Sequence, residues 1–91
     1  MARKRKYPKV VGYWVYSLYV PSVDKYYIGI SKQQCSERWR KGRYKETTLF
    51  PYLDEWDSMI KTVIQDGLTK EQAVQLEDEL VIKYRNENRC V

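Results

Sequence analysis

The sequence predicts a small α+β domain, a three-stranded antiparallel β-sheet flanked by helices. Three observations carry this. Two aromatic, β-branched runs flank a turn, a third such run comes later, and a helix with a complete N-terminal signature follows it. At 91 residues the chain forms one domain. A domain this small buries only ~60–65% of the surface its unfolded chain exposes. Three Trp and nine Tyr must therefore supply much of the core.

The first run, YWVYSLYV at Tyr13–Val20, is apolar on both faces and reads as a strand covered on both sides. Pro21, Ser22, Val23 and Asp24 have turn chemistry, with proline fixing φ. Residues 25–30 form the second strand, so the pair is an antiparallel hairpin. Tyr26, Ile28 and Ile30 share one face; Tyr27 and Gly29 share the other. Ser31 and Gln34 fit a capping box that opens a short helix ending near Gly42. Residues 47–56 are ambiguous; Pro51 suits the first turn of a short helix, with Phe50 held extended before it. SMIKTVIQ at residues 58–65 is the third strand, stopped by Asp66-Gly67. Thr69 and Gln72 make a second capping box, starting a helix over residues 70–84.

Charge is unevenly spread. Arg3, Lys4, Arg5, Lys6 and Lys9 make residues 1–9 a basic tail, and the remaining domain, residues 10–91, is neutral overall. Within it Arg38, Arg40, Lys41, Arg43 and Lys45 form a second basic block. A basic tail and patch on a neutral body suit a polyanion, most simply nucleic acid; solvated charge is the plainer alternative. Cys35 and Cys90 make neither a disulfide framework nor a zinc site, which favours a reduced, cytoplasmic setting. The N-terminus has no apolar run after its charges, so neither a signal peptide nor a membrane anchor is expected.

One acid breaks the pattern of the last helix. Ala73, Val74, Leu76, Leu80, Val81 and Tyr84 fall on one side, and Glu77 lies near the middle of that stripe. An inward carboxylate is costly unless paired or bound to a cation. It is a structural ion-pair partner, a rim residue with its stem packed on the core, or a ligand for a hard cation such as Mg²⁺. Gly29 raises a similar choice, between a β-bulge and a strand position that lets a ligand approach. Alone, Tyr16 reads as core, Arg38 as a solvated helix charge and Tyr44 as a loop aromatic.

Together these residues resemble the GIY-YIG nuclease family. Trp14-Val15-Tyr16 is similar to its first motif, and Tyr27-Ile28-Gly29 is its second. Arg38, in ERWRKGRY, matches the family's arginine, and Glu77, in AVQLEDELV, its helical glutamate. The similarity runs over residues 13–84 and is greatest to short, stand-alone phage and mobile-element members. Trp14 replaces a glycine, and Gly42 stands where many members have histidine, with Tyr44 the substitute. Residues 48–59 are shorter than usual, and Asn86 or Asn88 takes the place of a later asparagine. The resemblance implies phosphodiester hydrolysis in DNA with one divalent cation, Mg²⁺ or Mn²⁺, and no organic cofactor. Tyr16 would be the general base, with Tyr27 holding the water or sharing the proton; the order can be reversed. Arg38 would grip the scissile phosphate, Tyr44 would donate to it, and Glu77 would hold the metal. Arg40, Lys41, Arg43 and Lys45 would track backbone phosphates. A catalytically inactive nucleic-acid-binding domain of the same fold is the alternative.

Overall fold

The computed structural model of the chain describes residues 7–91. The cations Arg3, Lys4, Arg5 and Lys6 of the basic tail lie outside the described residues. Strands β1 (Tyr13–Val20), β2 (Lys25–Ser31) and β3 (Ile60–Leu68) form an antiparallel sheet in the order β2-β1-β3. The α+β arrangement predicted from the sequence is the one observed. As its two-sided apolar pattern requires, β1 is central, and only Tyr13 and Tyr19 among its residues are not fully buried.

Alternation along β1 divides the core in two. Trp14, Tyr16, Leu18 and Val20 face one layer, with Cys35, Trp39, Tyr44, Leu49, Leu53 and Met59 packed on them. Val15 faces the other, with Ile28 and Ala73, where α2 (Lys70–Asn86) covers the sheet.

The segment after β2 departs from expectation. The helix predicted between Ser31 and Gly42 is reduced to one turn, α1 (Cys35–Arg38), followed by a 3-10 turn at Lys41–Tyr44. The capping box is absent because both of its residues are engaged elsewhere. Ser31 ends β2 opposite Trp14, and its hydroxyl accepts the Gln33 N–H at 3.0 Å. The Gln34 amide clamps the Val10 backbone, accepting its N–H at 3.2 Å and donating to its carbonyl at 2.7 Å. A continuous helix would also misplace the core. Trp39 and Tyr44 both enter the same buried layer, yet residues five apart on an α-helix stand roughly 140° apart. Breaking the helix at Trp39 (φ −85°, ψ 65°) lets both point inward.

Phe50–Ser58 forms two short 3-10 turns joined by a kink at Glu55 (φ −99°, ψ 15°), with Pro51 at the start of the first. Phe50 opens that first turn and is not held extended before it, because its N–H is drawn to the Thr47 carbonyl at 3.0 Å. The third strand is displaced toward the C-terminus relative to the predicted 58–65, and Asp66-Gly67 does not stop it. Two register shifts against β1 bend the strand, and Gly67 takes φ +71°, open to glycine at little cost. The strand continues because its end is tied down: Gly67 N–H donates to the Val11 carbonyl (2.8 Å), and Asp66 Oδ2 accepts the Val11 N–H (3.1 Å). The second capping box forms as predicted, with Thr69 and Gln72 bonded reciprocally at 3.0 and 3.1 Å, and α2 runs two residues past Tyr84.

After α2 the chain returns to the outer edge of β2. Tyr26 N–H donates to the Arg89 carbonyl at 2.8 Å, and Val91 N–H donates to the Tyr26 carbonyl at 2.9 Å. Arg89 also pairs with Asp24 at 2.9 Å, and the Tyr26 ring stacks on Tyr84 with centroids 4.3 Å apart. Both cysteines are free thiols. Among the described residues no helix is long and apolar enough to cross a membrane.

Candidate active site

The hairpin register sets Tyr16 directly opposite Gly29. The pairing of β1 with β2 has no shift, so the β-bulge considered for Gly29 is not what it provides. Glycine is needed for space. A Cβ there would lie 2.5 Å from both Cζ and Oη of Tyr16, so the Tyr16 ring itself occupies the patch of backbone that Gly29 leaves bare.

Tyr16 is fully buried, and its ring lies 5.1 Å from Trp14 and 6.1 Å from Trp39. Its hydroxyl is a junction. Arg38 Nε donates to it at 3.0 Å, and so does the Tyr44 hydroxyl, also at 3.0 Å. Tyr44 is buried too, and its hydroxyl also lies 3.3 Å from the Arg38 carbonyl. Burial, then the neighbouring Tyr16, push the Tyr44 phenol far above its ordinary range. Tyr44 is thus an internal brace rather than a free donor.

The short α1 explains why Arg38 is where it is. Trp39 plunges into the core, and the residue before it is left at the surface of the same cluster, half-buried. The guanidinium stands 5.9 Å from the centroid of the Tyr16 ring and 5.2 Å from that of Tyr44. No described carboxylate pairs with it, and neither Nη group carries a hydrogen bond to a described residue. A planar fork held by its stem, with its prongs free, is suited to an oxyanion.

Tyr27 closes the cluster, its ring edge-on to Tyr44 at 5.7 Å. Unlike Tyr16 and Tyr44 it is only half-buried. Burial raises its phenol first, Tyr16 and Glu77 raise it further, and Arg38 opposes them. Glu77, on α2, acts on that phenol only weakly: α2 covers the other layer of the sheet, and among the described residues no hydrogen bond joins Glu77 to the tyrosines. Glu77 is half-buried, and burial, then Asp78, hold its carboxyl above the usual value. Among the described residues no cation pairs with it, so the ion-pair reading of Glu77 finds no partner there. A lone carboxylate in a partly dry position suits Mg²⁺, which keeps several waters and shares its remaining positions with a phosphate. Among the described residues no three His, Cys, Asp or Glu side chains gather, so such an ion would depend on substrate to complete its shell.

Arg40, Lys41, Arg43 and Lys45 are all exposed beside the cluster in sequence, and none forms a salt bridge among the described residues. Asn86 and Asn88 are exposed at the end of α2, and neither bonds to the cluster. Two aromatic supports were not assigned roles from sequence. Trp39 packs on Tyr16, and Trp56 lies 5.4 Å from Tyr44. The signal for Trp39 was its place beside Arg38, one side chain pointing in and the next out. Comparison of the chain with protein-family models, curated proteins and solved structures finds no match.

Proposed function

We propose that the protein is a divalent-metal-dependent DNA endonuclease that hydrolyses phosphodiester bonds at the cluster of Tyr16, Tyr27, Arg38 and Glu77. The observation that carries this reading is the mounting of Arg38. Its Nε rests on the Tyr16 hydroxyl at 3.0 Å while the rest of its fork has no protein partner. A structural arginine usually ends on a carboxylate; this one ends on a phenol and faces outward. That arrangement supports a phosphate clamp that also stabilises charge growing on the oxyanion.

Burial supports different work for the two hairpin tyrosines. Tyr16 is enclosed and bonded on its oxygen, so it positions Arg38, and Tyr44 positions Tyr16 in turn. Tyr27 is the phenol that solvent reaches, and it takes the proton of the attacking water, which is the exchange of roles left open by the sequence. As the water oxygen bonds to phosphorus, the P–O ester bond opens and the departing oxygen gains a proton from solvent. Glu77 would hold the cation, which when bound supplies positive charge to the phosphate. The exposed cations of residues 40–45 bind neighbouring phosphates without reading sequence.

The test is nicking of supercoiled plasmid with Mg²⁺, expected to stop when a chelator removes the metal. Tyr27→Phe should lower the rate roughly 10²–10⁴-fold with unchanged melting. Because the Tyr27 phenol is raised above its ordinary value of 10.0, the fraction ionised grows across the neutral range. The parent rate should therefore climb with pH through 7 to 9, and Tyr27→Phe should lose that slope. Tyr16→Phe should cost about 1 kcal/mol of stability and slow cleavage less. If instead Tyr16→Phe is inactive and Tyr27→Phe is normal, the two roles are exchanged.

A second reading is a nucleic-acid-binding domain without catalysis. The enclosure of Tyr16 and Tyr44, with their hydroxyls bonded to each other, favours it. Salt-dependent DNA binding with no metal-dependent nicking would establish it.

A further inference from the structure

Phe50 is the aromatic side chain that the core does not use. It is 60% exposed, and among the described residues no other aromatic is left exposed. Its neighbours explain why the backbone places it there. Leu49 and Leu53 are buried in the Tyr16 layer, and Pro51 stiffens the turn between them. The backbone carrying the ring is therefore anchored on both sides.

Its place in the chain is equally specific. Thr47 N–H donates to the Tyr44 carbonyl at 3.3 Å, and Phe50 N–H donates to the Thr47 carbonyl at 3.0 Å. Two successive tight turns thus connect Phe50 to the brace of the Arg38 cluster. Residues 40–50, which include this connection and the turn before it, carry exposed Arg40, Lys41, Arg43 and Lys45 against one acid, Glu46. An exposed ring beside unpaired cations is the combination that binds a displaced base and its adjoining phosphates.

We infer that Phe50 is a stacking wedge, and that the preferred substrate is DNA with an unpaired base near the cut. The inference rests on the nuclease reading for its partner. In an intact duplex the ring has no exposed base face to stack on unless a base step is first opened. In a bulged, gapped or single-stranded stretch that work is already done.

The experiment compares two short duplexes of the same sequence, one fully paired and one with a single bulged 2-aminopurine. Binding is measured by anisotropy without metal, and stacking by 2-aminopurine fluorescence. The parent should bind the bulged duplex more tightly and change the probe's fluorescence. Phe50→Ala should lose roughly 5- to 100-fold affinity for the bulged duplex alone, with the fluorescence change abolished. Phe50→Trp should keep both. Because the ring is exposed, these variants should melt as the parent does. Equal affinity of the parent for both duplexes, or an equal loss on both for Phe50→Ala, overturns the wedge and leaves the nuclease reading standing. Failure of the parent to bind either duplex overturns both.

Discussion

Glu77→Gln is expected to leave the domain folded and DNA cleavage undetectable. The amide keeps the shape of the side chain and loses the charge that a hard cation needs. The stability readout separates this from a structural role. Burial holds the Glu77 carboxyl above its ordinary 4.5, so the folded chain binds the proton more tightly than the unfolded one. This group's contribution is therefore fully present below about 4.5 and is lost as pH rises through the raised value. At neutral pH, removing an unpaired, half-buried charge should leave the melting temperature unchanged or slightly higher, and should flatten its decline with pH. Thermal melts at acid and neutral pH check the slope, and plasmid nicking checks the chemistry. A variant that fails to fold would make Glu77 a structural residue and remove the metal assignment.

Gly29→Ala should damage both fold and chemistry, from a single methyl group. Its Cβ would stand 2.5 Å from the end of the Tyr16 ring, and that ring has no room to retreat. Trp14 and Trp39 pack on it, and Arg38 and Tyr44 bond to its oxygen. Overpacking of this kind costs ~1–3 kcal/mol, which in a domain this small lowers melting by roughly 5–20 °C. Because Tyr16 must shift, Arg38 loses its mount, and cleavage should fall further than stability explains. The clash is with one side chain, so in a Tyr16→Leu background the alanine should cost much less. A Gly29→Ala protein with parental melting and parental cleavage would show that the packing around Tyr16 is not as tight as described.

These two residues also show what could be read in the chain before its fold. Glu77 was visible from periodicity, because one acid interrupted a helical stripe, and the stripe's surroundings could be inferred locally. Gly29 was visible as an anomaly, but its reason was not. The alternatives were a bulge or an approaching ligand, and the answer is a tyrosine from the neighbouring strand, which only the register supplies. The same limit applies to the helix after β2. Ser31 and Gln34 have the right spacing for a cap, yet one pairs with Trp14 and the other clamps Val10, partners far away in the chain. β3 ran past Asp66-Gly67 because Val11 holds it, another contact with no local trace. Elements whose signals were local, the first hairpin and α2 with its Thr69–Gln72 box, appeared where expected.

The return of the chain to β2 has a consequence for the timing of motion. An outer strand ordinarily frays, and its outward amides exchange with solvent through that fraying. Here the Tyr26 amide is bonded to the Arg89 carbonyl, so its deuterium uptake requires the last residues to peel away first. Tyr27 is the next residue along the same strand. The exchange lifetime of one amide therefore clocks how long the neighbouring phenol is held in place, and Arg89→Ala, which removes the Asp24 pairing, should shorten that lifetime before it changes any other.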